Sequence, residues 1–279
     1  MRLTTQEKET GKLSPERLAE STRTFLDAGL LVIEDVYEAD FLSQVREAYE
    51  AALAIRLDSL GGLDALDGKT FGKNHIGYFP PMTGILGDVR LAAHPIATQL
   101  LISLLGENVQ CSFYHTNTAM PRSGIQPVHR DSGSLFGTEM SVPHPPHAIV
   151  LNIPLCDFTE ENGSTEYWPG THLIVDRTIE EGKHLEERID ACPSIRLNMK
   201  LGSFALRDLR AWHRGMPNNA DYPRTMFANV YQRGWLAEPP MPIPRSTWES
   251  WPEEAKHIFR KNKIQEDAEY RPLQWGERN

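Results

Sequence analysis

Gln126-Pro127-Val128-His129-Arg130-Asp131 is the stretch from which the rest of the chain can be read. Side chains alternate across a strand with period two, so on an extended segment His129 and Asp131 project from one face, an imidazole beside a carboxylate. Such a pair can take two positions of one metal ion and leave the rest of its sphere open. A second histidine would complete the two-histidine, one-carboxylate facial triad of non-haem Fe(II) oxygenases. Leu209-Arg210-Ala211-Trp212-His213-Arg214-Gly215 supplies it as His213, and Arg224 follows eleven residues later. An arginine at that offset, on the next strand, offers a planar fork to a carboxylate. Two histidines, one aspartate and one arginine are the set that Fe(II) and 2-oxoglutarate require.

The surrounding sequence supplies a scaffold for such a site. From Val109 onward, short β-like runs alternate with Gly, Pro and Asn turns, at 109–118, 126–131, 147–155, 164–168, 194–206, 210–214 and 224–232. Before them the chain reads as helical. Ser14 caps a helix over 14–28 with Pro15 in its first turn and Gly29 at its end. A short strand covers 30–35. A second helix, 38–57, carries Phe41, Val45, Ala48, Ala52 and Ile55 on one stripe, and a third covers 95–105. The pattern predicts a mainly β fold with flanking helices, a double-stranded β-helix of the cupin-like jelly-roll kind. We expect one domain over 1–279: a mainly helical part (1–108), a jelly-roll core (109–235) and a C-terminal wrap (236–279). Trp235, Trp248, Trp251 and Trp275 are expected to pack in that region.

Composition narrows the function classes. The net charge of −9 argues against nucleic acid and anionic membranes as partners, since both select basic faces. Hydrophobic content of 40% and charged content of 24% are ordinary for a soluble globular protein. Cys111, Cys156 and Cys192 form no CxxC pattern and suggest a reducing compartment. No apolar run approaches the roughly 20 residues of a membrane span, and no apolar signal core opens the chain. A cytoplasmic enzyme is the expectation, with room for a homodimer.

Further motifs follow the His-x-Asp pair. Ala148–Leu155 reads as a buried strand, and Glu161-Asn162-Gly163-Ser164-Thr165-Glu166-Tyr167-Trp168-Pro169-Gly170-Thr171-His172 follows it. The order HxD, ENGxT-x3-PG[ST]H, H-x10-R resembles the phytanoyl-CoA dioxygenase family of Fe(II)/2-oxoglutarate oxygenases, over nearly the whole chain. Its QxxHRD and ENGxT forms resemble the branch that tailors secondary metabolites. The resemblance implies that His129, Asp131 and His213 are iron ligands and that Arg224 binds the distal carboxylate of 2-oxoglutarate. Gln126, Thr165 and Asn117 would be further cosubstrate contacts, and dioxygen the second cosubstrate. Many members carry Ser or Thr two residues after the distal histidine to assist the arginine; here Gly215 stands there. By its family position His172 shapes a turn and holds no metal.

The expected activity is oxidation, most simply hydroxylation, of an unactivated C–H bond in a small natural-product-like molecule. An aromatic, glycine-hinged loop over 69–83 is expected to grip that substrate through His75, Tyr78 and Phe79. Competing readings are a non-catalytic cupin-like metal-binding protein, a cupin dioxygenase without cosubstrate, and an acyl-CoA 2-hydroxylase. Structural metal sites are closed and usually four-ligand, which a triad with a spare arginine fits poorly. Coenzyme A would call for Lys and Arg at the pocket mouth, yet Asp131 through Asp176 contains neither after Arg130. His144-Pro145-Pro146-His147 looks like a ligand pair but lies in a stiff proline loop with no third ligand nearby.

Overall fold

The computed structural model describes residues 1–66, 68–139, 142–175 and 185–274. Its centre is a seven-stranded sheet in the order β1-β8-β5-β10-β4-β2, with β3 pairing one end of β10. These strands are β1 (Leu30–Ile33), β2 (His75–Tyr78), β3 (Gln110–Phe113), β4 (Thr116–Ala119), β5 (Ala148–Pro154), β8 (Phe204–Asp208) and β10 (Arg224–Gln232). Every pairing among them is antiparallel. A smaller antiparallel sheet, β7-β6-β9, is built from β6 (Glu166–Tyr167), β7 (Ile195–Arg196) and β9 (His213–Arg214). The two sheets form the jelly roll that the strand pattern predicts.

Period-two alternation divides the large sheet into a core face and a cavity face. Ile149, Leu151 and Ile153 of β5, Phe204 and Leu206 of β8, and Phe227 and Tyr231 of β10 are buried in the main core. The residues between them, Val150, Asn152, Arg207, Met226, Ala228 and Val230, line an internal cavity. After a short helix α1 (Thr5–Thr10), helices α2 (Pro15–Ala28), α3 (Ala39–Ser59), α4 (Val89–Ala92) and α5 (Pro95–Leu105) contribute to the same core, as do Met241, Ile243, Trp251 and Phe259 from the C-terminal region. Each large apolar side chain so buried contributes about 1.5–3 kcal/mol.

Local signals hold where the capping chemistry is explicit. The Ser14 side chain accepts from the Arg17 amide, Pro15 opens α2, and Gly29 closes it at φ 70°. The stripe expected on the second helix is rotated. The buried line runs Phe41, Val45, Tyr49, Leu53 with Leu42 beside it, a strict i, i+4 ridge, while Ile55 is 74% exposed. Trp248 and Trp251 pack as expected, but Trp235 is 66% exposed. Trp275 lies outside the described residues.

Three strand expectations change. The 126–131 segment is no regular strand: Pro127 has no amide to give, and a single antiparallel bridge joins His129 to His213. The 109–118 run breaks at Tyr114–His115, where β10 changes partner from β3 to β4. The 194–206 run breaks at Gly202, whose φ of 94° and close approach to the Tyr37 carbonyl leave no space for a side chain. Conversely, the expected 69–83 loop contains β2, an edge strand paired with β4.

Candidate metal centre

His129 and His213 are brought together by backbone. His129 N–H donates to the His213 carbonyl at 3.0 Å, and His213 N–H returns to the His129 carbonyl at 2.9 Å. Each imidazole is then set by its own neighbour: Nδ1 of His129 lies 3.0 Å from the Pro127 carbonyl and Nδ1 of His213 lies 3.1 Å from that of Ala211. A carbonyl accepts only, so Nδ1 of His129 carries the proton and its Nε2 keeps the lone pair, whereas Nδ1 of His213 also lies 3.2 Å from Nη1 of Arg207, which only donates. Both Nε2 atoms face the Asp131 carboxylate, with Oδ1 at 3.8 Å from His129 and 3.6 Å from His213. The ligating atoms of the three residues all lie within 4.8 Å of one another. Among the described residues no other group of His, Cys, Asp and Glu converges in this way. The donor set fits a divalent iron with open positions.

The second carboxylate oxygen is committed elsewhere. Arg207 of β8 donates from Nη2 to Asp131 Oδ2 at 2.6 Å. Burial pushes the Asp131 carboxyl up, but Arg207, with His213 and His129, outweighs this and holds it well below the usual carboxylate range. Burial pushes both ligand histidines down, so they stay neutral and able to coordinate. Arg207 thus presents Asp131 through one oxygen only.

A cavity of about 880 Å³ opens around these groups. Arg224, the first residue of β10, lines it and is 2% exposed. Its guanidinium lies over the Phe158 ring at 4.7 Å, and its Nε and Nη1 are buried with no hydrogen-bond partner. Burial pushes its pKa down to about 10, so it stays charged at neutral pH. An unpaired buried cation is costly unless a ligand completes it. A carboxylate is the natural complement, and the distal carboxylate of 2-oxoglutarate fits that demand.

A profile of the phytanoyl-CoA dioxygenase (PhyH) family matches residues 25–226. The chain belongs to this family. It is therefore an Fe(II)- and 2-oxoglutarate-dependent enzyme of the oxygenase type. Solved structures share the fold. The α-ketoglutarate-dependent epimerase SnoN of nogalamycin biosynthesis superposes with a TM-score of 0.60 at 20% identity, covering 79% of this chain and 84% of that one. EctD from S. alaskensis, solved with 2-oxoglutarate and 5-hydroxyectoine, gives 0.57 at 22% identity, covering 79% and 76%. AviO1 from Streptomyces viridochromogenes Tue57 gives 0.56 at 19% identity, covering 82% and 100%.

The other family-implied positions are spread along the same cavity. Asn117 and Thr165 line it. Gln126 lines it as well, but its side chain is already engaged, accepting from the Gly215 amide at 2.8 Å and donating to the Phe71 carbonyl at 2.5 Å. That bond explains Gly215, where many family members have Ser or Thr. A Cβ there would stand 2.6 Å from Gln126 Oε1 and 2.7 Å from His75 Cε1. His75 occupies this space, 2.7 Å from the Gly124 carbonyl through Nε2, in the same row of the sheet as Ala119 and Arg224.

Two expected substrate residues are corrected. Tyr78 and Phe79 do not line the cavity. On β2, His75 and Gly77 face inward, so period-two alternation turns Tyr78 outward, its ring 6.1 Å from that of Tyr49 on α3. Phe79 lies beyond the strand end, against Phe113 and His115. Among the described residues no metal cluster includes His144 or His147, which bond to the Leu135 amide and to Ser132 Oγ. His172 places its Nε2 3.0 Å from the Leu26 carbonyl near the C-terminal end of α2.

Sequence reading missed Arg207 and His115. Arg207 could have been found as an arginine on an inward position of an otherwise apolar strand, Phe204-Ala205-Leu206-Arg207. His115 faces the cavity only because the chain breaks its β register there. That carries no local signal.

Proposed function

We propose that the chain hydroxylates an unactivated C–H bond of a small, uncharged or weakly polar molecule of the natural-product kind. The observation that carries this is the coexistence, in one cavity, of an open His129–Asp131–His213 donor set and a buried Arg224 whose Nε and Nη1 have no hydrogen-bond partner. In this reading His129 and His213 bind iron through Nε2 and Asp131 through Oδ1. Arg224 binds the distal carboxylate of 2-oxoglutarate, with Asn117 and Thr165 as further contacts. Iron, with 2-oxoglutarate and dioxygen, supplies the oxidising power when bound. The protein supplies placement. Arg207 fixes the carboxylate, the Pro127 carbonyl fixes the His129 tautomer, and the apolar floor of Val150, Ala228 and Val230 excludes water from the reacting carbon.

A closed structural metal site would leave Arg224 without purpose, so the non-catalytic reading loses to this one. An acyl-CoA substrate is also disfavoured: of the cations lining the cavity, Arg207 is bonded to Asp131 and Arg224 is assigned to 2-oxoglutarate, which leaves Arg130 and no lysine among the described residues, and coenzyme A phosphates would need several cations. No described helix is long and apolar enough to cross a membrane.

The test is succinate release from 2-oxoglutarate by the Fe(II)-loaded protein, first alone and then across a panel of small molecules. Substrate-stimulated release and a product heavier by one oxygen atom are expected. Unchanged product mass would instead mean epimerisation, and loss of two hydrogens desaturation or ring closure. Absence of any succinate release contradicts the proposal.

A further inference from the structure

We propose that His115 orients the substrate, holding a hydroxyl or keto oxygen of a compact, otherwise apolar molecule against the cavity floor. This rests on the reading above and adds which protein atom the substrate meets. The distinguishing observation is a contrast among the cavity histidines. His75 is tied to the Gly124 carbonyl, His129 to Pro127, His213 to Ala211 and His147 to Ser132 Oγ. The ring nitrogens of His115 bond to no described residue, although the ring lines the cavity.

Its position is held by everything except a polar partner. The His115 carbonyl accepts from the Ala228 amide at 2.7 Å, and its own amide donates to Asn229 Oδ1 at 3.3 Å. The ring sits edge-on to Phe79, with centroids 4.9 Å apart, and to Phe113 at 6.0 Å. Phe79 therefore acts from behind, as a wedge that aims His115. Beside the imidazole the floor is small and apolar. Ala228 lies opposite Asn152, and Val230 opposite Val150, which in turn neighbours Arg207. Arg207 carries Asp131, so the metal-binding donors stand over the same rows.

The chemistry of the ring limits what it can hold. Burial pushes its pKa down to about 4, with Asp131 opposing, so the imidazole is neutral at physiological pH. A neutral imidazole has one N–H donor and one acceptor. That matches a hydroxyl, which can use either, or a keto oxygen, which uses the donor. It offers no charge to a carboxylate or phosphate.

The test uses a matched pair of probes, naphthol and methylnaphthalene, titrated without oxygen into the full-length protein loaded with Fe(II) and 2-oxoglutarate. Wild type should prefer naphthol by about fivefold to tenfold, the worth of one neutral hydrogen bond. His115→Phe, which keeps the packing on Phe79 and Phe113, should lose that preference while its 2-oxoglutarate affinity stays at the wild-type value. His115→Gln, which restores a donor and an acceptor, should recover part of it. No preference in wild type, or an intact preference in His115→Phe, overturns the proposal. Failure to take up 2-oxoglutarate contradicts the preceding reading and this inference with it, whereas normal uptake without preference contradicts this inference alone.

Discussion

Two arginines on the cavity face of one sheet live under opposite rules. Arg207, on β8, gives its guanidinium to Asp131 at 2.6 Å and completes a charge pair inside the protein. Arg224, at the start of β10, is as deeply buried and leaves Nε and Nη1 without a partner. Around Arg207 the Nδ1 atoms of His129 and His213 are satisfied, and what remains free is three ligand atoms. Around Arg224 no carboxylate forms an ion pair among the described residues, and Nε and Nη1 have no hydrogen-bond partner. The metal end is thus preorganised by internal bonds, and the Arg224 end is held open at a stability cost that only a ligand offsets.

The largest expected break of that contrast is Asp131→Ala. It should abolish iron uptake and turnover, and by orphaning Arg207 cost about 1.5–3 kcal/mol of stability, read from urea unfolding. Adding Arg207→Met should recover most of the stability and none of the iron uptake. A double variant no more stable than the single one would mean that the pair is not coupled.

Acid should act next. Burial holds His75, His115 and His147 down at about 4. A histidine whose folded pKa lies below its unfolded value contributes stability that is full above about 6.5 and lost as pH falls towards the folded value. The urea midpoint of the metal-free protein should therefore drop between about pH 6.5 and about pH 4. A flat midpoint over that window would contradict the buried-neutral assignment. Asp131 acts in the same sense but at lower pH, since its depressed carboxyl keeps its charge through that window.

Smaller effects sharpen the boundary of the Arg224 end. Gly215→Ser, although it creates the commoner family residue, should cost about 1 kcal/mol and weaken 2-oxoglutarate binding, because Gln126 and His75 fill the space. Tighter binding in that variant would show that the serine displaces His75 productively. Least of all, Tyr78→Phe should change turnover and stability by no more than about 0.5 kcal/mol, since Tyr78 faces α3. A marked loss of turnover would return Tyr78 to the substrate.

How much of this was legible in the sequence follows from the range of the interactions. The capped helix at 15–28 and the strands at 148–154 and 224–232 rest on local spacing, whereas His129, Asp131, His213 and Arg224 were legible together only through the order of family-like motifs, and the structure brings the four to one cavity. The substrate side rests on what crosses the barrel. An aromatic loop signature pointed to Tyr78 and Phe79, but β2 pairing with β4 turned one outward and put the other behind His115. Arg207 and Asp131 are 76 residues apart, so their bond has no signature in sequence. Gly215 read as a missing helper; in three dimensions it makes room for His75 and Gln126.

The central claim is that Arg224 is unpaired because it awaits the 2-oxoglutarate carboxylate, and the most direct test is calorimetry without oxygen. We predict that Fe(II)-loaded wild type binds 2-oxoglutarate and that Arg224→Met binds iron equally well but 2-oxoglutarate more weakly by about 1.5–3 kcal/mol, tenfold or more. The free variant should be no less stable than wild type, since an uncompensated buried charge has been removed. Equal 2-oxoglutarate affinity in the two proteins, or a variant destabilised as if a native ion pair had been broken, would contradict the account.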